Sequence, residues 1–170
     1  MQSRKFILSA FALGMTLAFG ATAGAADLPK EGMFTGTFSG VGAYKAYPVG
    51  KERLLLVFDD NDLQLTDGLL DHTTWHCWGL GDYTNGKGTD HGYCVGTDPE
   101  GDQVVASFGP DEHALDQKSW SGTGTFTMGT GKYKGISGGW TNVNRGNEFR
   151  STTEGTYFSY GTFQANYKLP

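Results

Sequence analysis

The sequence contains few charged residues, only two cysteines and, after residue 25, no long apolar run. Disordered chains are rich in charge and poor in aromatic residues. Charged residues make up 18% of this chain and aromatic residues 14%, which excludes disorder. A membrane-spanning helix needs about 18 or more consecutive apolar residues, so we expect no membrane insertion of the mature chain. The net charge of −5 repels phosphates, and no nucleic-acid partner is expected.

Motifs for metals and cofactors are also missing. His72 and His76 have the spacing of a helical zinc pair, but their neighbours favour a strand, in which residues four apart lie about 13 Å from one another. The acidic run 59–62, followed by Asp67-Gly68, lacks the residue order of a calcium-binding EF-hand loop, which favours a solvated turn. Neither a phosphate-binding loop nor a Gly-x-Ser-x-Gly elbow occurs. We therefore predict no metal and no cofactor.

The N-terminus has the three parts of a secretory signal peptide. Basic residues Arg4 and Lys5 precede an apolar run over 6–19, and Ala23-Gly24-Ala25 is a small-x-small cleavage site. The sequence therefore predicts a cleaved signal peptide over residues 1–25 and a single mature domain over 26–170. This signal indicates export, to the periplasm or to the extracellular space.

The two cysteines lie on either side of a strong hairpin signal. Asn85-Gly86 favours a type I′ turn, because both central residues of that turn have positive φ. A hairpin centred there places Trp78 opposite Tyr93 and Cys77 opposite Cys94, at a non-hydrogen-bonded position with Cα atoms about 4.5 Å apart. That distance suits a disulfide, and exported proteins commonly form them. We predict a Cys77–Cys94 disulfide, with two free buried thiols as the alternative.

Most of the mature chain consists of short segments with strand character, separated by turn residues. Such a pattern predicts an all-β sandwich or a closed barrel, and glycines inside the strands favour the curvature of a barrel. We predict a closed antiparallel β-barrel of about eight strands, with at most one short helix, at 110–118. The predicted strands are 34–43, 53–58, 63–70, 73–80, 91–97, 103–108, 123–128, 139–144, 148–153 and 155–167.

A glycine-rich segment resembles a corner of a known barrel superfamily. Residues 129–138 read Gly-Thr-Gly-Lys-Tyr-Lys-Gly-Ile-Ser-Gly, which is similar to the corner of the allene oxide cyclase and dirigent-like barrels. The resemblance covers about residues 118–145 and carries no catalytic residues onto this chain. It implies an eight-stranded antiparallel barrel with a central apolar cavity, and a possible homo-oligomer, since such barrels are often trimers. Locally, the glycines allow positive φ while Tyr133 and Ile136 fix the corner to the core.

Two groups of residues are candidates for binding a ligand. One face of the predicted hairpin combines two histidines with two aromatic residues, whereas the other carries mainly cysteine and glycine. The first face is chemically the better wall for a cavity that holds a small ligand. Arg150 and Glu154 share a face of a late predicted strand, either as a polar cluster inside the barrel or as an exposed ladder. The candidate ligand-binding residues are His76, Trp78, His91, Tyr93, Arg150 and Glu154.

Three functions fit this architecture, and the sequence leaves all three open. The first is binding of a small apolar or aromatic molecule inside the barrel, against Trp78 and Tyr93. The second is an isomerase or cyclase that uses Glu154, Arg150 or His76 as its polar group. The third is a structural or interaction module with a filled barrel. A carboxylate with a raised pKa inside a cavity would favour the enzyme, whereas a completely filled interior would favour the module.

Overall fold

The structure, a computed structural model, describes residues 28–170, which form a closed barrel of eight antiparallel strands. The predicted signal peptide, residues 1–25, lies outside the described residues. Each strand pairs with the next along the chain, and the last pairs with the first. The strands are β1 (Glu31–Val49), β2 (Arg53–Thr66), β3 (Thr74–Thr84), β4 (Lys87–Thr97), β5 (Gln103–Ala114), β6 (Trp120–Gly129), β7 (Ser137–Asn144) and β8 (Thr156–Lys168).

The predicted fold class is confirmed, but the predicted helix at 110–118 is wrong. β5 continues to Ala114, and the only helices within residues 28–170 are two 3₁₀ turns, Gly131–Tyr133 and Gly146–Glu148. Pro110 lacks a backbone N–H and is therefore tolerated in a strand only at an edge or a bulge. It lies beside the irregularity between Asp90 and Gly92, where the pairing of β4 with β5 shifts register. No helix of the described residues is long and apolar enough to cross a membrane.

Two further segments differ from the prediction. The acidic run 59–62 is the middle of one continuous strand, β2, which pairs with β1 on one side and β3 on the other. The prediction of a solvated turn there is wrong, because period-two alternation directs Asp60 and Asp62 inward and their neighbours outward. The segment 148–153, predicted as a strand, belongs instead to the loop between β7 and β8.

The β3–β4 hairpin has the predicted register. Asn85 and Gly86 both have positive φ (51° and 77°), and Trp78 lies opposite Tyr93. The predicted disulfide is confirmed: Cys77 is bonded to Cys94, and their Cα atoms are 4.0 Å apart. The bond ties two neighbouring strands together at mid-height in the barrel wall.

One half of the barrel is closed by packed side chains. Phe34, Val104 and Phe126 are at most 5% exposed there, and Phe34 stacks edge-on against Phe163 with ring centroids 5.9 Å apart. The glycine-rich corner adds Tyr133 and Ile136 to this core, both buried, so its structural role is as expected. We call this the closed half. The other half, toward the β1–β2 and β3–β4 hairpins, is the open half and contains the candidate site.

Candidate functional site

The open half of the barrel encloses a cavity of about 560 Å³ that opens to solvent. A smaller space of about 100 Å³ lies on the closed side. Five residues line both spaces and therefore separate them; these are Asp62, Cys77, Cys94, Trp140 and Asn142. The disulfide is thus part of the floor of the larger cavity.

Aromatic side chains form much of the cavity wall. The Phe58 ring lies 6.1 Å from that of Phe108 and 6.4 Å from that of Tyr157, measured between centroids. Trp120 and Trp140 contribute further surface. Ligand pockets in proteins typically combine such apolar walls with a few polar groups.

Asp60 and Asp62 are neighbouring acidic groups of the cavity lining. Both lie on the inner face of β2, and Asp60 is only 8% exposed. Tyr157 Oη donates to Asp60 Oδ2 at 3.1 Å, and Ser159 Oγ donates to Asp62 Oδ2 at 3.0 Å. Within residues 28–170, the Oδ1 atom of each carboxyl is buried and has no hydrogen-bond partner. Each aspartate thus has one satisfied oxygen and one unsatisfied oxygen.

Two glycines of β1 make room for this arrangement. A Cβ at Gly40 would lie 2.2 Å from Asp62 Oδ1, and one at Gly42 would lie 2.3 Å from the Tyr157 ring. Both distances are shorter than any real contact, so a larger residue at either position would displace these side chains. The glycines therefore allow the Asp62 carboxylate and the Tyr157 ring to lie directly over β1.

Burial changes the acidity of the pair. Burial, together with repulsion from Asp62, raises the pKa of Asp60 to about 7, and burial raises the pKa of Asp62 to about 6. Burial and the neighbouring Asp60 also raise the pKa of Tyr157, which therefore stays protonated and donates its hydrogen bond. The pair consequently exchanges protons near neutral pH.

A second polar cluster lies elsewhere on the cavity wall. Tyr83 Oη donates to Asp90 Oδ1 at 2.8 Å and lies 2.9 Å from His113 Nε2, and the His113 ring stacks on Trp120 at 4.8 Å. His113 Nδ1 lies 3.1 Å from the carbonyl oxygen of Asp111, which can only accept a hydrogen bond. Burial raises the pKa of Asp90, and it raises that of Tyr83 as well. In this cluster Tyr83 links Asp90 to His113, whereas Asp60 and Asp62 accept hydrogen bonds from separate residues.

Asp60, Asp62 and Cys77 have ligand-type atoms within 4.8 Å of one another, which raises the question of a metal. Metals are bound by cysteine as the thiolate, and Cys77 is held in the disulfide. Only two carboxylates are left, whereas structural zinc takes four ligands and calcium six or more. The donor set does not fit a metal centre.

The structure reverses the expected orientation of the hairpin. His76, Trp78, His91 and Tyr93 point away from the barrel interior; Trp78 is 41% exposed and Tyr93 52%. His76 Nε2 lies 2.7 Å from Asp59 Oδ2 on this outer surface. The expectation that this face forms the cavity wall is wrong, because the interior takes the side with the cysteines and glycines. Phe58 and Phe108 crowd Gly79 so closely that a Cβ there would lie 2.7 Å from the Phe58 ring.

Arg150 and Glu154 do not form a polar cluster inside the barrel. Both are exposed and lie in the loop between β7 and β8, so they share no strand face. Phe149 and Ser151, which flank Arg150, line the mouth of the cavity instead. Of the six candidate residues, the structure brings none to the inner wall.

The inner residues were missed because four consecutive polar residues resemble a turn. A signal was nonetheless present: Phe58, Asp60, Asp62 and Gln64 alternate with period two, and all four point inward. Within that alternation, Asp60 and Asp62 are polar residues at positions that face the interior.

No family model matches the sequence, and no curated protein matches it. Among solved structures, the chain is similar to the pterocarpan synthase dirigent protein, with a TM-score of 0.48 and 10% sequence identity. The match covers 92% of this chain and 99% of that chain. The barrel architecture of this chain is established by its own strand pairing, and the resemblance to allene oxide cyclases stays a prediction.

Proposed function

We propose that this protein binds a small molecule with an apolar or aromatic body in the open half of the barrel, with its polar group at Asp60 and Asp62. The cavity of about 560 Å³ lies within the range of small-molecule sites, roughly 300–1,000 Å³. The position of Asp60 and Asp62 on the cavity lining, each with one oxygen that has no partner among residues 28–170, carries the proposal. Leaving a buried acceptor unsatisfied costs about 1–3 kcal/mol, and a ligand that donates to these carboxyl groups would offset part of that cost.

The alternative of a filled barrel fits only the closed half. Phe34 and Phe126 pack there without leaving space for a drug-sized molecule, whereas Phe58 and Phe108 border an open cavity. A protein that needed only a stable barrel would gain nothing from two buried carboxylates, since each costs free energy when ionised. Binding accounts for both the cavity and the carboxylates.

A matched pair of substitutions on β2 tests this function. Leu56 lines the cavity, and Val57 beside it points outward and is 45% exposed. Leu56→Trp should narrow the cavity and weaken binding of an apolar fluorophore at least about tenfold, or about 1.4 kcal/mol, whereas Val57→Trp should leave the affinity unchanged. Fluorophore titrations and mass spectrometry of the natively purified protein provide the readouts. Equal affinities for both variants would place the bound molecule outside the barrel and refute the proposal.

A second candidate function is proton-transfer catalysis of the isomerase or cyclase type. The observation that favours it is the pKa of Asp60, raised by burial and by Asp62 to about 7, where a carboxyl group can both donate and accept a proton at neutral pH. Once a ligand is identified, Asp60→Asn should abolish any conversion of it while leaving a bound complex detectable. Conversion at an unchanged rate in Asp60→Asn would remove Asp60 from the chemistry.

We also propose export of the chain. The basic and apolar N-terminal segment with its Ala23-Gly24-Ala25 site supports it, as does the disulfide, since cytosolic thiols are kept reduced. N-terminal sequencing of the mature protein should begin at Ala26 or Asp27. A cytosolic protein that retains Met1 would refute export without affecting the binding proposal.

A further inference from the structure

The ionisable groups that line the open cavity are strongly biased toward one sign. Four aspartates line it, together with His113, and no lysine or arginine of the described residues does so. The four are Asp60, Asp62, Asp90 and Asp111. Low-dielectric walls concentrate the field of such groups. The cavity therefore attracts cations and repels anions.

The unsatisfied oxygens specify what a ligand must supply. Asp60 Oδ1 and Asp62 Oδ1 accept no hydrogen bond within residues 28–170, and ligand-type oxygens of the two carboxyls lie within 4.8 Å of each other. A single ligand atom placed between the two carboxyl groups needs at least two N–H or O–H bonds to donate to both. A neutral hydroxyl has one donor, whereas a primary ammonium group has three.

The aromatic wall next to the pair suits the same kind of ligand. Tyr157 contacts Asp60 through its hydroxyl, and its ring lies edge-on to Phe58. Faces of aromatic rings attract cations and also pack against apolar bodies. The wall and the carboxylates thus provide one site for an organic group that carries a positive charge.

We propose that the ligand of the open cavity is an organic cation, with a primary ammonium group between Asp60 and Asp62 and an aromatic or aliphatic body against Phe58 and Tyr157. This inference rests on the proposed binding function and names its ligand class. The ammonium group donates to both carboxyl groups. Its body extends toward the mouth of the cavity.

Binding of a cation should change the number of protons that the protein holds. Burial and mutual repulsion keep the pKa of Asp60 near 7, and the groups that act on it are Asp62 and Asp59 of its own strand, Tyr157 of β8 and His76 of β3. An ammonium group favours the ionised carboxylates. Binding near neutral pH should therefore release protons to the buffer, which calorimetry in two buffers of different ionisation enthalpy measures.

The test compares three probes of one shape: 2-phenylethylamine, 2-phenylethanol and phenylacetate. At about pH 8, above the pKa of both carboxyls, the amine should bind at least about tenfold more tightly than the alcohol, and the anion should bind most weakly. The variant Asp60→Asn/Asp62→Asn should lose this preference. Asp59→Asn is the matched control, because Asp59 is adjacent in sequence but lies on the outer surface and should leave the preference intact.

The outcomes separate the two proposals. Equal affinity for amine and alcohol, or a preference that survives in Asp60→Asn/Asp62→Asn, would refute the organic cation and leave binding in the cavity standing. If none of the three probes binds, the organic cation is refuted, and the fluorophore titration of Leu56→Trp and Val57→Trp decides whether binding in the cavity stands. Should the double variant not fold, proton release by the wild type decides: release with the amine and none with the alcohol supports the inference, and no release with the amine overturns it.

Discussion

The two halves of the barrel share eight strands but treat their buried carboxylates differently. In the closed half, Asp98 accepts a hydrogen bond from Tyr133 at 2.9 Å and pairs with Lys132 Nζ at 2.6 Å. Burial alone would raise the pKa of Asp98, but these contacts lower it below its ordinary value. In the open half, Asp60 and Asp62 receive one neutral donor each, and their pKa values rise.

The two halves thus distinguish polar groups that stabilise the fold from polar groups that are candidates for a function. A carboxylate that holds the fold together is paired with a cation and hydrogen-bonded on several sides. A carboxylate that is buried without such partners destabilises the fold, which identifies it as a candidate for binding or chemistry. The apolar residues follow the same division, because Phe34 is buried in a packed core whereas Phe58 borders a cavity.

The largest expected effect concerns the apolar residues. Phe34→Ala removes a ring that packs against Phe163 and Tyr167 in the closed half, and it should lower the free energy of unfolding by about 3–5 kcal/mol. Phe58→Ala in the open half should cost clearly less, since one side of its ring already faces the cavity. Urea unfolding of both variants measures the difference. Equal losses would mean that the two halves are packed alike.

The second effect concerns the pH dependence of stability. Burial and Asp62 raise the pKa of Asp60 from 3.8 to about 7. The protonated Asp60 carboxyl therefore contributes its full stability to the fold below about pH 4, and this contribution is lost as the pH rises through about 7. Asp60→Asn should therefore be more stable than the wild type at about pH 8, by up to about 1.4 kcal/mol per unit of pKa shift. At about pH 4 the two should match.

The difference between these two proteins removes the contributions of the carboxyl groups that do not interact with Asp60. Unfolding in urea at several pH values gives the difference directly. A constant difference from acid to alkaline pH would contradict a raised pKa for Asp60. Asp59→Asn, on the outer surface, serves as the control and should show no comparable trend.

The smallest expected effect is at Trp78. This residue was a candidate for ligand binding inside the barrel, but 41% of it is exposed on the outer surface. Trp78→Ala should change stability by less than about 1 kcal/mol and should leave ligand affinity unchanged. Trp140→Ala, which removes a residue from the cavity floor, is the matched comparison. Ligand titration followed by fluorescence tests both variants, and a loss of affinity confined to Trp78→Ala would contradict an inner site.

Sequence reasoning succeeded where the determining interactions are local. The register of the β3–β4 hairpin and the disulfide follow from Asn85-Gly86, because turn geometry fixes which residues face each other. The choice of inner face does not follow from the turn. It depends on neighbouring strands, where bulky residues such as Phe58 and Phe108 need glycines beside them, and this selects the side with Gly79.

The same distinction explains the acidic residues of β2. Asp60 and Asp62 are tolerated inside a strand because Tyr157 and Ser159 of β8, about a hundred residues later, each donate a hydrogen bond to them. Local propensity alone favours a turn at four consecutive polar residues. Local sequence patterns cannot predict hydrogen-bond partners that lie so far away in the sequence.

Asp60 and Asp62 in the open half have no lysine or arginine partner among residues 28–170, and we propose that a ligand supplies the missing positive charge. Carbon-13 NMR titration of the aspartate side chains measures this directly, with and without 2-phenylethylamine. We predict that Asp60 titrates at about 7 and Asp62 at about 6, that Asp98 titrates below its ordinary pKa, and that the amine lowers the values of Asp60 and Asp62 alone. Ordinary pKa values for Asp60 and Asp62, unchanged by the amine, would contradict the account.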